Sequence, residues 1–236
     1  MTVSQKKNAF RIYLYLGALF ITSLVVSNLI FQKFFYWHPF GDVKIFGVGL
    51  FVISVGILPY PITFLITDLI SEIYGKKKAN QVVTAGIFAS LFSMTIILVA
   101  NHAPATVDSP VDDQLFHKVF ALSPVAVLAS MIAYLFAQYI DISIYHFWKR
   151  VTKGKYLWVR NNFSTFTSQF IDTFTVVLLL CIFEVLPWSM FFGLVVSGFA
   201  FKLMIAVLDT PFLYISVYIM RRYFGLEQGE EIRLDI

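Results

Sequence analysis

The segment Ile57–Gly75, ILPYPITFLITDLISEIYG, places two carboxylates in a stretch that is otherwise mostly apolar. Asp68 and Glu72 are four residues apart and therefore share one face of a helix. An ionised side chain in hydrocarbon costs about 2.5–3.5 kcal/mol, so such residues usually face a bundle interior and mark a site or a pathway. Pro59 and Pro61 remove helical hydrogen bonds and predict a kink or a break, as in transporter helices that line a substrate site. We therefore expect a membrane protein that binds or moves a polar molecule.

Composition supports this class. The chain has 236 residues, of which 58% are hydrophobic and 26 are Phe, with a mean hydropathy of +0.77. That leaves too little polar surface for a soluble globule. The single cysteine, Cys181, excludes an intramolecular disulfide and a multi-cysteine metal site. No phosphate-binding glycine loop, His/Cys cluster or nucleophile–base motif is present, so we predict no cofactor, no metal and no enzyme activity.

Hydropathy predicts six membrane spans in one domain that covers residues 1–236. Each exceeds the roughly 20 residues that a helix needs to cross about 30 Å of hydrocarbon. Helices are expected because backbone groups in lipid must be satisfied within the segment. The last span contains Lys202, Asp209 and Pro211 but no polar turn, which favours one long helix over two short ones. The approximate limits are 11–32, 46–74, 79–100, 121–148, 162–183 and 188–220.

The basic residues predict the orientation of these spans. Fourteen of the 18 Lys and Arg residues fall on one side of the predicted membrane. Because cytoplasmic loops carry the excess of Lys and Arg, both termini are expected in the cytoplasm. The same clustering between apolar spans argues against nucleic acid as the partner of a chain with a net charge of +4. The fourteen are Lys6, Lys7, Arg11, Lys76, Lys77, Lys78, Lys149, Arg150, Lys153, Lys155, Arg160, Arg221, Arg222 and Arg233.

Polar residues of the last two spans are predicted to meet near the middle of the bilayer. Asp172 lies roughly 18 Å along its helix from Arg160, and Asp209 lies a similar distance from Arg221. Lys202 is seven residues from Asp209 and on the same helical face. The two acids and the base are expected to form either a substrate site or a structural ion pair with hydrogen-bonded neighbours.

A polar stripe and a faint repeat add further candidates. Thr165, Ser168, Gln169 and Asp172 recur at helical spacing, which a lipid-facing helix would not carry. The fragments AQYID (137–141) and SQFID (168–172) predict that Gln and Asp are presented from two sides of one cavity. On the first span Asn28 belongs to a smaller polar face, which serves either a ligand or helix–helix contact.

Four stretches carry a resemblance to a known family. They are Pro61–Gly75; Ala129–Tyr134 followed by Gln138 and Asp141; Leu157–Asn162 followed by Ser164, Thr165, Ser168, Gln169, Asp172 and Thr173; and Lys202 followed by Asp209-Thr210-Pro211. Together they resemble the queuosine precursor transporter family, also described as a vitamin uptake family. The resemblance extends from about residue 15 to 222.

The resemblance implies a multi-pass protein of the cell inner membrane that imports 7-deazaguanine bases for the salvage of queuosine in tRNA. The bases are 7-cyano-7-deazaguanine (preQ0) and its aminomethyl relative preQ1. The family's fold is similar to the substrate-binding components of energy-coupling-factor vitamin importers. The alternative is therefore a substrate-binding subunit that needs an energising partner. A homo-oligomer and a membrane enzyme that acts through Asp172 and Asp209 also stay open.

A guanine-like edge offers N–H donors to carboxylates and a carbonyl to amide or cationic donors. Its flat ring suits aromatic stacking. The candidate acceptors are Asp68, Glu72, Asp141, Asp172 and Asp209. Glu72 lies near the predicted cytoplasmic end of its span and serves either as an acceptor or as an interface anchor or partner for Lys76–Lys78. The predicted donors are Asn28, Gln138, Gln169, Lys202 and Arg160. The candidate for stacking is Tyr60, Tyr74, Tyr134 or Phe170.

Overall fold

The computed structural model describes residues 2–31, 33–36, 41, 44–45, 48–49, 52–121, 124–184 and 186–234, and the chain is helical over most of this part. The helices are α1 (Val3–Ile30), α2 (Tyr60–Ile73), α3 (Lys76–Asn101), α4 (Asp113–Phe116), α5 (Pro124–Val151), α6 (Leu157–Ile182) and α7 (Phe191–Phe224). The strands are β1 (Phe34–Tyr36), β2 (Lys44–Ile45), β3 (Val48–Gly49) and β4 (Val52–Ser54). Short 3-10 helices span Val55–Ile57 and Trp188–Met190, and a π-helical turn spans His117–Ala121.

Five segments in the described part of the chain are long and apolar enough to cross a membrane. They are Val3–Ile30, Val55–Ile73, Lys76–Asn101, Leu157–Ile182 and Trp188–Phe224. The last contains α7, so the prediction of one long helix through Pro211 is confirmed. The protein is therefore a predominantly helical, multi-pass membrane protein.

The segment before α2 differs from the predicted helical span 46–74. Strand β4 pairs antiparallel with β1, with Phe34 opposite Ser54, and the helix begins only at Tyr60. Pro59 is its N-cap and Pro61 lies in its first turn, where a missing N–H costs nothing. The prolines therefore mark the start of the helix and not a kink within it. Positions 46–47 and 50–51 of the predicted span lie outside the described residues.

Helix α2 lies at the centre of the bundle and contacts α1, α3, α5 and α7. Every residue from Ile66 to Tyr74 is buried, including Asp68 and Glu72. A helix that is buried all round has no lipid face, so its charged side chains must find partners within the protein.

Helix α6 has its polar side chains inside and its aromatic side chains outside. The predicted stripe is confirmed, because Thr165, Ser168, Gln169 and Asp172 are all buried. Large apolar side chains cover its outer face, among them Trp158, Phe163, Phe170 and Phe174. This arrangement suits a helix between a polar interior and lipid. It also corrects the prediction that Phe170 stacks on a ligand, since Phe170 contacts Phe174 and Phe199 instead.

The start of α1 lies against the end of α7. Asn8 of α1 donates a hydrogen bond to the Tyr223 hydroxyl of α7 at 2.7 Å, and Gln5 donates to the Tyr223 carbonyl at 3.2 Å. The chain after α7 returns beneath the bundle, where the Ile232 amide donates to the Ile73 carbonyl at 2.7 Å. Gly75 turns the chain between α2 and α3 with a φ of +83°, a conformation that favours glycine.

Candidate substrate-binding site

An ion pair between α6 and α7 forms the first polar layer. The Lys202 ammonium lies 2.5 Å from Asp172 Oδ2, and both side chains are almost fully buried. The Tyr60 hydroxyl of α2 donates to the same oxygen, and the Lys202 nitrogen lies 4.5 Å from the centre of the Tyr60 ring. The predicted meeting of Asp172 and Lys202 is thus present in the structure.

A cavity of about 250 Å³ adjoins this ion pair, on the side away from the chain termini. It is lined by α1, the segment Ile53–Ile57, α2, α5, α6 and α7, and Asp172, Lys202, Tyr60 and Tyr134 all contribute to its wall. Since one water occupies about 30 Å³ in the liquid, the cavity has room for a small ring compound.

Three polar atoms in residues that line this cavity have no partner among the described residues. They are Asp172 Oδ1, Asn28 Nδ2 and Thr173 Oγ1. Buried polar groups in proteins are nearly always hydrogen-bonded, so each such atom requires an explanation. Residues that line a single cavity thus carry one acceptor, one amide donor and one hydroxyl without a partner, which makes this cavity the candidate substrate site.

Close backbone packing forms one wall of the cavity. A Cβ atom at Gly56 would lie 2.7 Å from the Ser27 carbonyl oxygen and 2.9 Å from Phe31 Cα. The Ser27 hydroxyl donates to the Gly56 carbonyl, which holds the 3-10 helix against α1. Only glycine permits this approach of the 3-10 helix to α1. The approach brings Asn28 of α1 to the cavity.

A second layer lies one turn further along α6. The Ser168 hydroxyl donates to Asp141 Oδ1 of α5 at 2.9 Å. The carboxyl groups of Asp141 and Asp68 lie beside each other, close enough to share a hydrogen bond. Both are buried, and neither forms an ion pair among the described residues. Neither Asp68 nor Asp141 lines the cavity. The repeated fragments AQYID and SQFID therefore do not place Asp141 and Asp172 on two sides of one cavity.

The third layer surrounds Glu72 and is an ion cluster. Arg160 contacts both carboxylate oxygens, at 2.7 and 3.1 Å, and Arg221 contacts Oε1 at 2.6 Å. The Tyr145 hydroxyl donates to Oε2 at 2.9 Å, and Lys149 lies 3.8 Å from that oxygen. Glu72 and Arg160 are twelve residues from Tyr60 and Asp172, which is about 18 Å along each helix. Glu72 and Arg160 were predicted to bind substrate, but they bind each other instead, far from the cavity.

Other predicted residues fall into two groups. Gln169 and Asp209 line a space of about 20 Å³ behind Lys202, with room for one water. Asp209 forms no ion pair with Lys202 in the described structure, contrary to the prediction, because Asp172 Oδ2 takes that ammonium. Gln138 donates to the Tyr134 hydroxyl at 2.8 Å and thus supports the cavity wall from behind.

Tyr74 was predicted to stack on the ligand, but it lies at the Glu72 end. Its hydroxyl donates to the Ala9 carbonyl at 2.9 Å, and its ring packs on Tyr13 with 5.4 Å between centres. Sequence reasoning missed Thr173, which neighbours Asp172 but falls outside the polar stripe. It also missed Tyr145 as a Glu72 partner, for which the sequence carries no signal.

Comparison with known proteins assigns the family. A family model described as "Putative vitamin uptake transporter" matches residues 54–216, more than half of the chain. The chain belongs to this family. The matched region includes Tyr60, Asp172 and Lys202 but not Asn28 of α1. The chain is also similar to a Bacillus subtilis (strain 168) protein named "Probable queuosine precursor transporter", with 29% identity over 177 residues that cover 73% of each chain. No solved structure matches this chain.

Proposed function

We propose that this vitamin uptake family member imports queuosine precursors, preQ0 or preQ1, across the cell inner membrane. The family assignment supports transport, and the name of the Bacillus subtilis relative supports a queuosine precursor as the substrate. The observation that carries the proposal is the unpartnered Asp172 Oδ1 at the cavity. A 7-deazaguanine presents a ring N–H and an exocyclic amine as donors, and Asp172 Oδ1 has free lone pairs that can accept from them.

The remaining cavity groups suit the rest of the same molecule. Asn28 Nδ2 is a free amide donor for a ring carbonyl. The Tyr60 and Tyr134 rings, whose centres are 5.4 Å apart, offer aromatic surface to a flat base. Lys202 and Tyr60 hold Asp172 in place through Oδ2, so that Oδ1 is kept in position for the ligand. Substrate selection by this site requires no covalent chemistry, and the substrate is expected to leave unchanged.

The proposed topology has six spans, with both termini in the cytoplasm. Helix α5 has 28 residues and adds a sixth segment of sufficient length to the five described above. The start of α1 and the end of α7 meet at the face that carries Lys76–Lys78, Lys149 and Arg150. The positive-inside rule assigns that face to the cytoplasm, so the cavity lies toward the outer side.

The proposal is tested in a host that cannot synthesise queuosine precursors. The host receives preQ0 at nanomolar concentration, and queuosine in its tRNA is measured with and without this gene. We expect modification only with the gene, and a strong loss for Asp172→Asn. Glu184→Gln, an exposed acid after α6, is the matched control and should support full modification. Equal modification with and without the gene would contradict the proposal.

The alternative is that the chain is a binding subunit of a multi-component importer. Uptake into liposomes that contain this protein alone distinguishes this alternative from a transporter that acts alone. Uptake by the single chain would exclude the need for a partner. Docking of such subunits depends on small residues at an accessible helix face. In this structure Gly17 and Gly86 instead bring α1 and α3 together, with Gly86 against Phe20 and Gly17 against Val82. We therefore favour transport without a partner.

A further inference from the structure

The paired carboxyl groups of Asp68 and Asp141 are not used by the proposed substrate site. They come from α2 and α5, are 3% and 0% exposed, and lie side by side in the middle polar layer. Asp68 Oδ1 and Asp141 Oδ2 accept no hydrogen bond from the described residues. The Thr165 hydroxyl, itself 97% buried, lies beside Asp68 and makes no hydrogen bond of good geometry. The pair and its Thr165 neighbour therefore keep buried polar atoms without a hydrogen-bond partner among the described residues.

No cation offsets the two carboxyl groups within the described residues. Lys202 is paired with Asp172, and Arg160 and Arg221 are paired with Glu72. The titratable groups that interact with the pair, from its own helices and from α7, are neutral or acidic. They are Tyr60 of α2, Tyr134 and Tyr145 of α5, and Asp209 of α7, with Glu72 one turn away on α2 and Asp172 one turn from Ser168 on α6. The charged residues of α1 end at Arg11 and those of α3 at Lys78, near the face where the termini lie.

Two carboxylates in contact cannot both be ionised in a buried, cation-free layer, because like charges in a low dielectric repel strongly. A single shared proton removes the repulsion and supplies the missing hydrogen bond between the acids. We propose that Asp68 and Asp141 hold one proton between them and that binding and release of this proton couples substrate import to the proton gradient. The coupling of this proton to import rests on the proposed transport function, whereas the shared proton itself does not.

The position of the pair suits such coupling. It lies between the cavity layer at Asp172 and the Glu72 layer at the opposite end of the same helices. Ser168, which donates to Asp141, is one turn of α6, about 6 Å, from Asp172. A movement of α6 that opens the cavity to one side would therefore change the contact of Asp141 as well. Proton binding and substrate binding would then favour the same arrangement of α6.

The shared proton is tested by infrared spectroscopy of the purified protein at neutral pH, which requires no transport. We expect the difference spectrum between wild type and Asp68→Asn/Asp141→Asn to contain the carbonyl band of a protonated carboxylic acid. The matched control, Asp108→Asn in the exposed loop before α4, should change carboxylate bands alone. A difference spectrum for the double variant that also shows carboxylate bands alone would overturn the shared proton.

Coupling is tested in proteoliposomes with two assays of preQ0 movement. Counterflow exchange needs no energy source, whereas accumulation against a concentration gradient does. We expect wild type to accumulate preQ0 when the outside is more acidic, and a protonophore to abolish this. Asp141→Asn should retain exchange, while the ratio of preQ0 inside to preQ0 outside falls to about 1. If Asp141→Asn does not fold, Asp68→Asn provides the same test.

The outcomes separate the two proposals. Accumulation that follows a sodium gradient alone, or that Asp141→Asn leaves intact, would overturn proton coupling while transport stands. An absence of exchange in wild type would contradict the transport function itself. In that case the infrared measurement still decides whether the pair holds a proton.

Discussion

The Glu72 layer and the Asp172 layer lie about 18 Å apart along the same two helices, and their buried carboxylates differ in how many partners they have. Glu72 contacts Arg160, Arg221 and Tyr145, so that both of its oxygens have partners. Asp172 has Lys202 and Tyr60 on one oxygen and no described partner on the other. Both are buried acids within predicted spans, and the sequence distinguishes them only by depth, since Glu72 lies near the predicted cytoplasmic end of its span. The difference lies in whether any hydrogen-bonding capacity is left for a ligand.

The two layers are expected to have different roles, the Glu72 layer in the stability of the fold and the Asp172 layer in ligand binding. A buried carboxylate with complete partners holds helices together, and removal of one partner leaves uncompensated charge. The Glu72 cluster joins α2, α5, α6, α7 and the chain after α7, because Lys149 also pairs with Glu231 at 2.8 Å. The Asp172 layer joins α2, α6 and α7 around an open space. Substitutions in the Glu72 layer should act on folding, and those in the Asp172 layer should act on affinity.

The largest effect is expected for Glu72→Gln. The amide keeps the shape but leaves Arg160, Arg221 and Lys149 without a buried counter-charge. Loss of one partner from a buried ion pair costs about 3–5 kcal/mol, so the free energy of unfolding should fall by that order. Denaturation of the purified protein in detergent measures it, with exposed Glu184→Gln as the control. A stable variant that has lost ligand affinity would reverse the roles assigned to the two layers.

Asp172→Asn comes next and should act mainly on binding. The substitution preserves size but converts one acceptor oxygen into a donor at the cavity. Loss of a buried acceptor costs about 1–3 kcal/mol, which corresponds to about 5- to 150-fold in affinity. Calorimetry with preQ0 measures the change. Because Lys202 loses its counter-ion, Asp172→Asn/Lys202→Met serves as a control that contains no unpaired ammonium. Wild-type affinity in both variants would mean that Asp172 is structural.

The sequence predicted the membrane class, the polar stripe of α6 and the meeting of Asp172 with Lys202. These follow from hydropathy and from helical spacing, which are local properties. The partner of Glu72 depends on how far α6 and α7 are rotated about their axes, and no local pattern encodes that. The sequence did not predict that α2 begins at Tyr60. Two nearby prolines are compatible both with a break inside a helix and with the first turn of a helix.

Tyr60→Phe is expected to have a smaller effect on affinity. The phenyl ring keeps the aromatic wall of the cavity, but the hydroxyl that orients Asp172 is lost. A hydrogen bond to a charged group is worth more than a neutral one, so we expect a loss of about 1.4 kcal/mol, or about tenfold. Titration with preQ0 measures it, and Tyr214→Phe, on the outer part of α7, is the matched control. A larger loss than that of Asp172→Asn would indicate that the Tyr60 hydroxyl contacts the ligand directly.

The smallest effect is expected for Tyr74→Phe, which tests the reassignment of that residue. The variant loses one hydrogen bond, to the Ala9 carbonyl, while its ring still packs on Tyr13. A buried neutral hydrogen bond contributes about 1 kcal/mol, so the free energy of unfolding should fall by about that amount. Affinity for preQ0 should not change, because Tyr74 lies at the Glu72 end, about 20 Å along α2 from Tyr60. Parallel measurement of unfolding and binding on the same preparation separates the two quantities. A loss of affinity with unchanged stability would return Tyr74 to the substrate site and would require that the ligand extends to the Glu72 end of the bundle.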